Sequence, residues 1–203
     1  MQIIKSSQLN IQSIVDSLHD GKTIIYPTET CYGLGCDATH VTAVEHIYNI
    51  KQRPVSKSLL VVTSDIEMMK GYVEWNQTLD MVAKKYWPGP LTVVVPIKQG
   101  VILPKGIVSS EGTVAFRITS HPIAQKICSE LRAPLVSTSA NISGGDNAYT
   151  PIDVIKTFEH ELVQPDICID AGELPVQKPS TIIAIKNGNI EIVRQGSVII
   201  EHL

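Results

Sequence analysis

Cysteine, aromatic residues and charge are all scarce in this chain of 203 residues. It has four cysteines without a CxxC pair, 5% aromatic residues and 18% charged residues. Disulfide-built secreted domains are denser in cysteine, so we expect a reducing compartment. Apolar residues make up 43% of the chain, which is typical of a globular protein and enough for one well-filled domain.

Several well-known site signatures are missing as well. The sequence has no GxxxxGK[ST], GxSxG or HExxH, and "GLGCDA" at 33–38 does not complete GxGxxG. The six histidines show no metal-ligand spacing. No signal-peptide pattern opens the chain, and apolar runs such as "LTVVVP" are too short to span a bilayer. These absences argue against P-loop, dinucleotide, serine-hydrolase and metal-site chemistry, and they predict a cytoplasmic protein without membrane contact.

Positive charge is concentrated in one stretch of an otherwise acidic chain. The net charge is −3, yet "KQRPVSKSLLVV" at 51–62 places Lys51, Arg53 and Lys57 within seven residues. A single surface lysine is ordinarily solvated and uninformative. Arginine, however, binds phosphate oxygens through a fork of N–H groups, and lysine binds them as a point charge. Here the cations stand together at the end of a predicted helix. The stretch therefore predicts a local anion site rather than a broad polyanion-binding surface.

Hydrophobic patterning predicts alternating strands and helices. Apolar residues at helical spacing indicate helices at 11–18, 42–51, 65–73, 76–86, 121–132 and 151–160, the second starting at a capping box of Thr42 and Glu45. Apolar β-branched runs indicate strands in "KTIIYPTE", "SLLVV", "LTVVVPI", "TVAFRI", "PLVSTSA", "DICIDAG", "STIIAI" and "IEIVRQG". The turn "KNGN" joins the last two strands as a hairpin. The pattern predicts one α/β domain with a mixed sheet and flanking helices.

Two polar motifs stand where apolar strands end. In "YPTETCYGLG" at 26–35 the glycines indicate either a close approach of the backbone to a ligand or, equally, a polar turn at left-handed angles. In "PLVSTSANISGG" at 134–145, Ser137, Ser139 and Asn141 crowd a strand end, where ligands bind in open α/β sheets. A Ser/Thr turn and helix cap is the weaker alternative for the second motif.

Two further segments add charge near predicted strands. Arg117 lies in the apolar strand of "VAFRITSHP" and needs a fixed partner, which an internal carboxylate would supply as well as a ligand would. "KPSTII" and "VRQG" place Ser180 and Arg194 on neighbouring strands of the predicted hairpin. Together the motifs supply hydroxyls, amides and cations, which are the groups that hold phosphate and carboxylate.

Taken in order, these motifs resemble the YrdC-like family of threonylcarbamoyl-AMP synthases. The matching segments are "YPTETCYGLGCDA", "KQRPVSKSLLVV", "WPGPLTVVVP", "VAFRITSHPIA", "PLVSTSANISG", "KPSTII" and "VRQG", which cover about residues 7–200. The resemblance implies a single domain over 1–203, in the short form of the family, with an open twisted α/β sheet and a concave, positively lined cavity.

The resemblance also implies an activity. Threonylcarbamoyl-AMP synthases form L-threonylcarbamoyladenylate and pyrophosphate from L-threonine, bicarbonate or CO2, and ATP. A downstream complex then uses the adenylate for the threonylcarbamoyladenosine modification of tRNA. No cofactor is tightly bound, because ATP is a substrate and carries Mg2+ on its own oxygens, so no protein metal site is expected.

Roles for individual residues are carried over by motif. The resemblance implies that Lys51, Arg53 and Lys57 are catalytic residues that contact the ATP phosphates. It assigns the threonine pocket to Thr30, Arg117, Ser137 and Ser180. The nucleotide site comprises Arg53, Lys57, Thr113, Ser139, Asn147 and Arg194. The chain departs from the family pattern at Ser58 and Thr119, where the family tends to have proline.

Other classes of protein remain open at this point. One alternative is an RNA-binding or ribosome-associated module of the same fold without adenylate chemistry, with weak RNA binding. Net acidity and hydroxyl-rich strand ends favour a small ligand instead. Further alternatives are a carbamoyl-transfer domain of the kind found in hydrogenase-maturation proteins and a paralogue with altered activity. The presence of both "KQRPVSK" and "STSAN" favours the synthase.

Overall fold

Eleven strands and six α-helices form from residues 1–201, which are the residues that the computed structural model describes. The strands are β1 (Gln2–Lys5), β2 (Ile24–Pro27), β3 (Tyr32–Gly35), β4 (Leu60–Thr63), β5 (Leu91–Pro96), β6 (Thr113–Ile118), β7 (Leu135–Val136), β8 (Thr138–Ser139), β9 (Ile167–Asp170), β10 (Thr181–Lys186) and β11 (Asn189–Arg194). The helices are α1 (Ile11–His19), α2 (Val41–Lys51), α3 (Ile66–Lys70), α4 (Gln77–Tyr86), α5 (Pro122–Leu131) and α6 (Pro151–Phe158). None of the helices in these 201 residues is long and apolar enough to cross a membrane.

The strands pair into two mixed sheets rather than one. The five-stranded sheet has the order β1-β9-β2-β3-β8, and the six-stranded sheet has the order β11-β10-β5-β6-β4-β7. The α/β class is therefore confirmed, and so is the terminal hairpin, because β10 and β11 pair antiparallel. The expectation of a single sheet is corrected.

The reason for two sheets lies in "PLVSTSA", which is not one strand. Val136 pairs with Val61 of β4, whereas Thr138 pairs with Leu34 of β3 in the other sheet. The chain thus crosses from one sheet to the other at Ser137, which is buried. This crossing places a polar residue between the two sheets, and the site described below is built around it.

Side-chain alternation separates the two faces of the six-stranded sheet. Val93 and Val95 of β5 and Val114 and Phe116 of β6 are buried in the larger apolar cluster, which α2 and α4 cover. Residues at the intervening positions point to the opposite face, because successive side chains of a strand alternate. A smaller apolar cluster lies between α1, α5 and the five-stranded sheet, and it includes Val62 and Leu135 of the six-stranded sheet, so α5 covers the second face of that sheet only at β4 and β7. The rest of that face is therefore left for polar groups.

Two local predictions need correction. Helix α2 begins at Val41, with His40 as its N-cap accepting from the Ala43 backbone N–H (3.3 Å), so Thr42 and Glu45 do not form the capping box. In the turn before the helix, Asp37 accepts from the Thr39 backbone N–H (2.8 Å). Helix α3 is also shorter than the predicted 65–73. A capping box does occur at the start of α6.

The glycines of "YGLG" lie in strand β3, and their role is close approach rather than left-handed turning. Gly35 has no positive φ. A Cβ atom added to Gly35 would collide with the Val136 carbonyl oxygen and approach the Tyr26 ring at 2.8 Å. Since β3 belongs to one sheet and Val136 to the other, this glycine lets the two sheets meet.

We predict that Gly35→Ala destabilises the protein by about 2 kcal/mol or more, because the added methyl forces the two sheets apart where they touch. Gly71→Ala is the matched control, since Gly71 is exposed and has helical angles (φ −65°, ψ −25°). It should change the free energy of unfolding by less than about 1 kcal/mol. Urea unfolding followed by circular dichroism measures both. Equal effects of the two substitutions would contradict the close approach.

Candidate functional site

A cavity of about 570 Å³ opens on the polar face of the six-stranded sheet. Alternate residues of β5 and β6 form its floor, among them Thr92, Val94, Thr113, Ala115 and Arg117. The five-stranded sheet contributes Gly33 of β3 and Ser139 of β8 to the wall, so both sheets contribute to the cavity. The remaining wall residues are Thr28, Thr30, Cys31, Arg53, Ser58, Leu59, Leu60, Ser109, Ser137, Thr138, Asn147, Gln177, Pro179, Ser180, Ile182, Val193 and Arg194.

The charge of the cavity wall is positive. Arg53, Arg117 and Arg194 line it, and no carboxylate side chain does so among residues 1–201. Burial, and then the nearby Arg117, lower the pKa of Arg194, which means that two guanidinium groups repel each other across the cavity. A cavity that holds like charges close together favours an anionic ligand.

Arg117 is the most deeply placed of the three arginines. Its side chain is 4% exposed, and its Nη2 donates to Ser137 Oγ over a long 3.4 Å. Its Nε lies 3.3 Å from Glu29 Oε1 without the geometry of a hydrogen bond, and within residues 1–201 neither atom has another partner. The sequence allowed either an internal ion pair or a ligand for this arginine. The structure shows the internal partner, and it leaves several guanidinium N–H groups for a ligand.

A turn of hydroxyl groups stands beside Arg117. Thr28 Oγ1 donates to the Cys31 carbonyl (2.7 Å) and accepts from the backbone N–H groups of Thr30 and Cys31 (3.1 and 3.3 Å). Thr30 Oγ1 lies 3.0 Å from Thr28 Oγ1, whose proton and two lone pairs are already used by these three bonds. The lone pairs of Thr30 Oγ1 remain open to the cavity.

Lys51 lies behind the cavity wall rather than on it. Its side chain is buried, and Nζ donates to the carbonyls of Ser139 (2.6 Å) and Asn141 (2.8 Å) and to Asn141 Oδ1 (2.9 Å). All three ammonium protons are then used, and none is left for a phosphate. Burial, followed by the charge of Arg53, lowers the Lys51 pKa to about 8. In this structure Lys51 holds the loop after β8 in place.

The other two cations of the basic stretch take different positions. Arg53 lines the cavity, and its guanidinium donates to the carbonyls of Lys57 (2.9 Å, from Nε) and Ser58 (3.2 Å, from Nη2). These bonds fold the segment after α2 around the arginine. Lys57 is exposed and is not among the wall residues, so its side chain points to solvent at the edge of this segment.

Ser180 and Arg194 meet at the opposite wall. Arg194 donates through Nε and Nη2 to the Ser180 carbonyl (3.2 and 2.8 Å) and through Nη2 to Ser180 Oγ (3.1 Å). Ser180 Oγ also contacts Thr92 Oγ1 at 3.1 Å. Gly196 permits this arrangement, because a Cβ there would collide with the Pro179 carbonyl oxygen. Hairpin strand β11 is thereby held against the cavity.

Three further predicted residues also lie on the wall. Thr113 shares a 2.7 Å hydroxyl contact with Ser109, and Ser139 Oγ donates to Asn141 Oδ1 (2.8 Å). Asn147 lies in the exposed loop before α6. The structure thus brings nine of the eleven predicted residues to one cavity and leaves Lys51 behind it and Lys57 outside it.

Some residues of the site carried no role in the sequence reasoning. Thr92 could have been found, because "LTVVVP" alternates and places it on the same face as Val94. Thr28 and Glu29 stand in the quoted motif "YPTET", but nothing in the letters shows which side chain would turn inward. Burial raises the pKa of the Cys31 thiol, so this wall cysteine is protonated and a poor nucleophile at neutral pH.

Fold and cavity together define a two-sheet α/β domain with an arginine-lined ligand site. A family model for the Sua5/YciO/YrdC domain, described as telomere recombination, matches residues 16–196. The chain therefore belongs to the Sua5/YciO/YrdC family, which confirms the family resemblance.

Solved structures of this family superpose closely on the chain. A double variant of P. abyssi Sua5 is 31% identical with a TM-score of 0.87, and 97% of this chain and 57% of that chain are covered. P. abyssi Sua5 complexed with L-threonine is 30% identical with a TM-score of 0.85, covering 96% and 57%. E. coli YciO is 27% identical with a TM-score of 0.82, covering 96% and 94%. The chain thus spans little more than half the length of the Sua5 chains.

We predict a pH signature for the buried Lys51 amine. Its pKa is lowered from 10.5 to about 8, so between these pH values the unfolded chain binds a proton that the folded chain has released. The free energy of unfolding should therefore rise with pH across this window, by on the order of 2 kcal/mol relative to Lys51→Met. Urea unfolding at several pH values measures the rise.

Lys156→Met serves as the control for this pH prediction, because Lys156 is an exposed lysine on α6. The free energy of unfolding of Lys156→Met should still rise with pH, whereas that of Lys51→Met should not. If the free energy of unfolding changes with pH in the same way for the wild type and Lys51→Met between pH 8 and 10.5, the Lys51 amine is solvated. That result would contradict its burial and its three hydrogen bonds.

Proposed function

We propose that this protein is a threonylcarbamoyl-AMP synthase, which forms L-threonylcarbamoyladenylate and pyrophosphate from L-threonine, bicarbonate or CO2, and ATP. The observation that carries the proposal is one cavity lined by three arginines and several hydroxyl groups, in which the most buried arginine, Arg117, has a carboxylate neighbour. The P. abyssi Sua5 structure complexed with L-threonine, which superposes over 96% of this chain, supports an amino acid as one ligand.

The deep end of the cavity suits threonine. Arg117 has guanidinium N–H groups free for a carboxylate, which it can bind through two parallel hydrogen bonds. Thr30, Ser137 and Ser180 line the same cavity and offer hydroxyl groups to the rest of the amino acid. The open lone pairs of Thr30 Oγ1 can accept from the hydroxyl or amine of the amino acid. We assign these four residues to threonine binding.

The outer part of the cavity suits the nucleotide. Arg53 and Arg194 have no carboxylate partner within residues 1–201, so their charge is available to the phosphates of ATP. Thr113, Ser139 and Asn147 line the same region and offer polar contacts. Lys57, exposed beside Arg53, would reach the phosphates only from outside. Mg2+ would enter as the ATP complex, held by phosphate oxygens.

In this proposal Lys51 acts by positioning rather than by touching phosphate. Its three hydrogen bonds fix the loop that carries Ser139 and Asn141. Lys51 is the last residue of α2, and Arg53 follows two residues later. The buried amine of Lys51 therefore connects the basic stretch with the loop after β8 through hydrogen bonds. Loss of Lys51 would therefore misplace residues on both sides of the nucleotide.

The chemistry needs no covalent intermediate on the protein. The neutral amine of threonine adds to CO2, forms an N–C bond and gives a carbamate after losing its proton. A carbamate oxygen then attacks the α-phosphorus of ATP, a P–O bond forms, and the bond to the β-phosphate oxygen breaks to release pyrophosphate. Arginines stabilise the charge that develops on the phosphates, so positioning and electrostatics carry the rate. The adenylate would then pass to the enzymes that modify tRNA.

Pyrophosphate release from ATP by the purified protein tests the proposal. Release should require L-threonine and bicarbonate together, and the products should contain the mass of threonylcarbamoyl-AMP. Omission of either substrate is the control and should abolish release. A folded protein that releases no pyrophosphate under any combination, yet binds RNA at low salt, would be an RNA-binding module instead.

A further inference from the structure

Glu29 distinguishes Arg117 from the other arginines of the cavity. Within residues 1–201, Arg117 is the only wall arginine with a carboxylate inside 4 Å, whereas Arg53 and Arg194 donate to carbonyls and a hydroxyl. Glu29 is not itself a wall residue, and its side chain is 12% exposed. It therefore stands behind the guanidinium and acts on a ligand through the charge of Arg117.

A buried threonine fixes the carboxylate in this position. Thr119 is fully buried, and its Oγ1 accepts from the His121 backbone N–H (3.2 Å) and donates to Glu29 Oε2 (2.7 Å). The hydroxyl therefore holds Glu29 in place and leaves Oε1 facing Arg117.

The pair divides the cavity into two electrostatic regions. Glu29 offsets the charge of Arg117, whereas the charges of Arg53 and Arg194 are not offset by a neighbouring carboxylate in the described chain. Without Glu29, none of the three guanidinium charges that line the cavity would be offset, and a polyphosphate could bind across all of them. With Glu29, a doubly charged anion at Arg117 is repelled by the carboxylate behind it, while a single carboxylate is repelled less.

We propose that Glu29, held by Thr119, sets the charge class of ligand that Arg117 accepts and favours a monocarboxylate over a phosphate. The inference rests on the proposed function, in which an amino acid and a polyphosphate occupy the same cavity. Glu29 would keep the amino-acid end free of phosphate while ATP is bound. It is a specificity-determining residue that touches neither substrate.

Calorimetric titration with inorganic phosphate and, separately, with L-threonine tests this inference. Glu29→Gln keeps the shape of the side chain and removes its charge, so it should bind phosphate about tenfold more tightly than the wild type. Thr119→Val frees the carboxylate without removing it and should give a smaller gain. The gain should disappear in Glu29→Gln combined with Arg117→Ala, because Arg117 is the group that Glu29 offsets.

Thr39→Val is the matched control, since Thr39 also donates its hydroxyl to a carboxylate, that of Asp37 (2.7 Å), and does not line the cavity. Its phosphate affinity should equal that of the wild type. Unchanged phosphate affinity in Glu29→Gln and Thr119→Val, in protein that still melts cooperatively, would overturn the inference. If the wild type binds no threonine but Glu29→Gln gains phosphate, the proposed function fails while the electrostatic role of Glu29 stands.

Discussion

The buried charge of Arg117 is the constraint on which the rest of the site depends. A guanidinium that is 4% exposed must be matched by negative charge or hydrogen bonds, because an unpaired buried charge is strongly destabilising. The match comes from both sheets: β6 carries Arg117, the turn after β2 carries Glu29, and the crossing between the sheets carries Ser137. Both contacts are long, so the match is incomplete, and guanidinium N–H groups of Arg117 are left for the ligand that we propose.

A second buried cation, Lys51, links the basic stretch to the same crossing. It has no carboxylate partner within the described residues, and its ammonium group is hydrogen-bonded to uncharged oxygens of Ser139 and Asn141. These hydrogen bonds from Lys51 hold the polar loop after β8 in place. The Lys51 amine therefore connects the end of α2, which leads to Arg53, with the loop that follows Ser139.

Local pattern predicted most of the strands, though not β1 and β3, because alternation and strand ends are local properties. It also singled out several wall residues, whereas Thr30, Thr113 and Asn147 were expected only from the family resemblance. Arg117 was conspicuous as a charge between apolar neighbours, and "STSAN" as a polar cluster after an apolar run. The division into two sheets was not predictable, since it depends on which strands Val136 and Thr138 pair with. The burial of Lys51 was missed for the same reason: a lysine before Arg53 reads as surface charge until the loop that surrounds it is known. The proposed role of Glu29 depends on its contact with Arg117, which is 88 positions later in the sequence, so no local pattern could indicate it.

The central claim is that Arg117 binds the carboxylate of an amino acid in this cavity. The most direct measurement compares the affinity of L-threonine with that of L-threoninamide, which lacks the carboxylate charge, by calorimetry on the wild type and on Arg117→Ala. The account predicts that the wild type binds threonine about 10- to 100-fold more tightly than the amide, as expected for charge-assisted hydrogen bonds, and that Arg117→Ala removes this preference. Equal binding of the two compounds by the wild type, or an undiminished preference in Arg117→Ala, would contradict it.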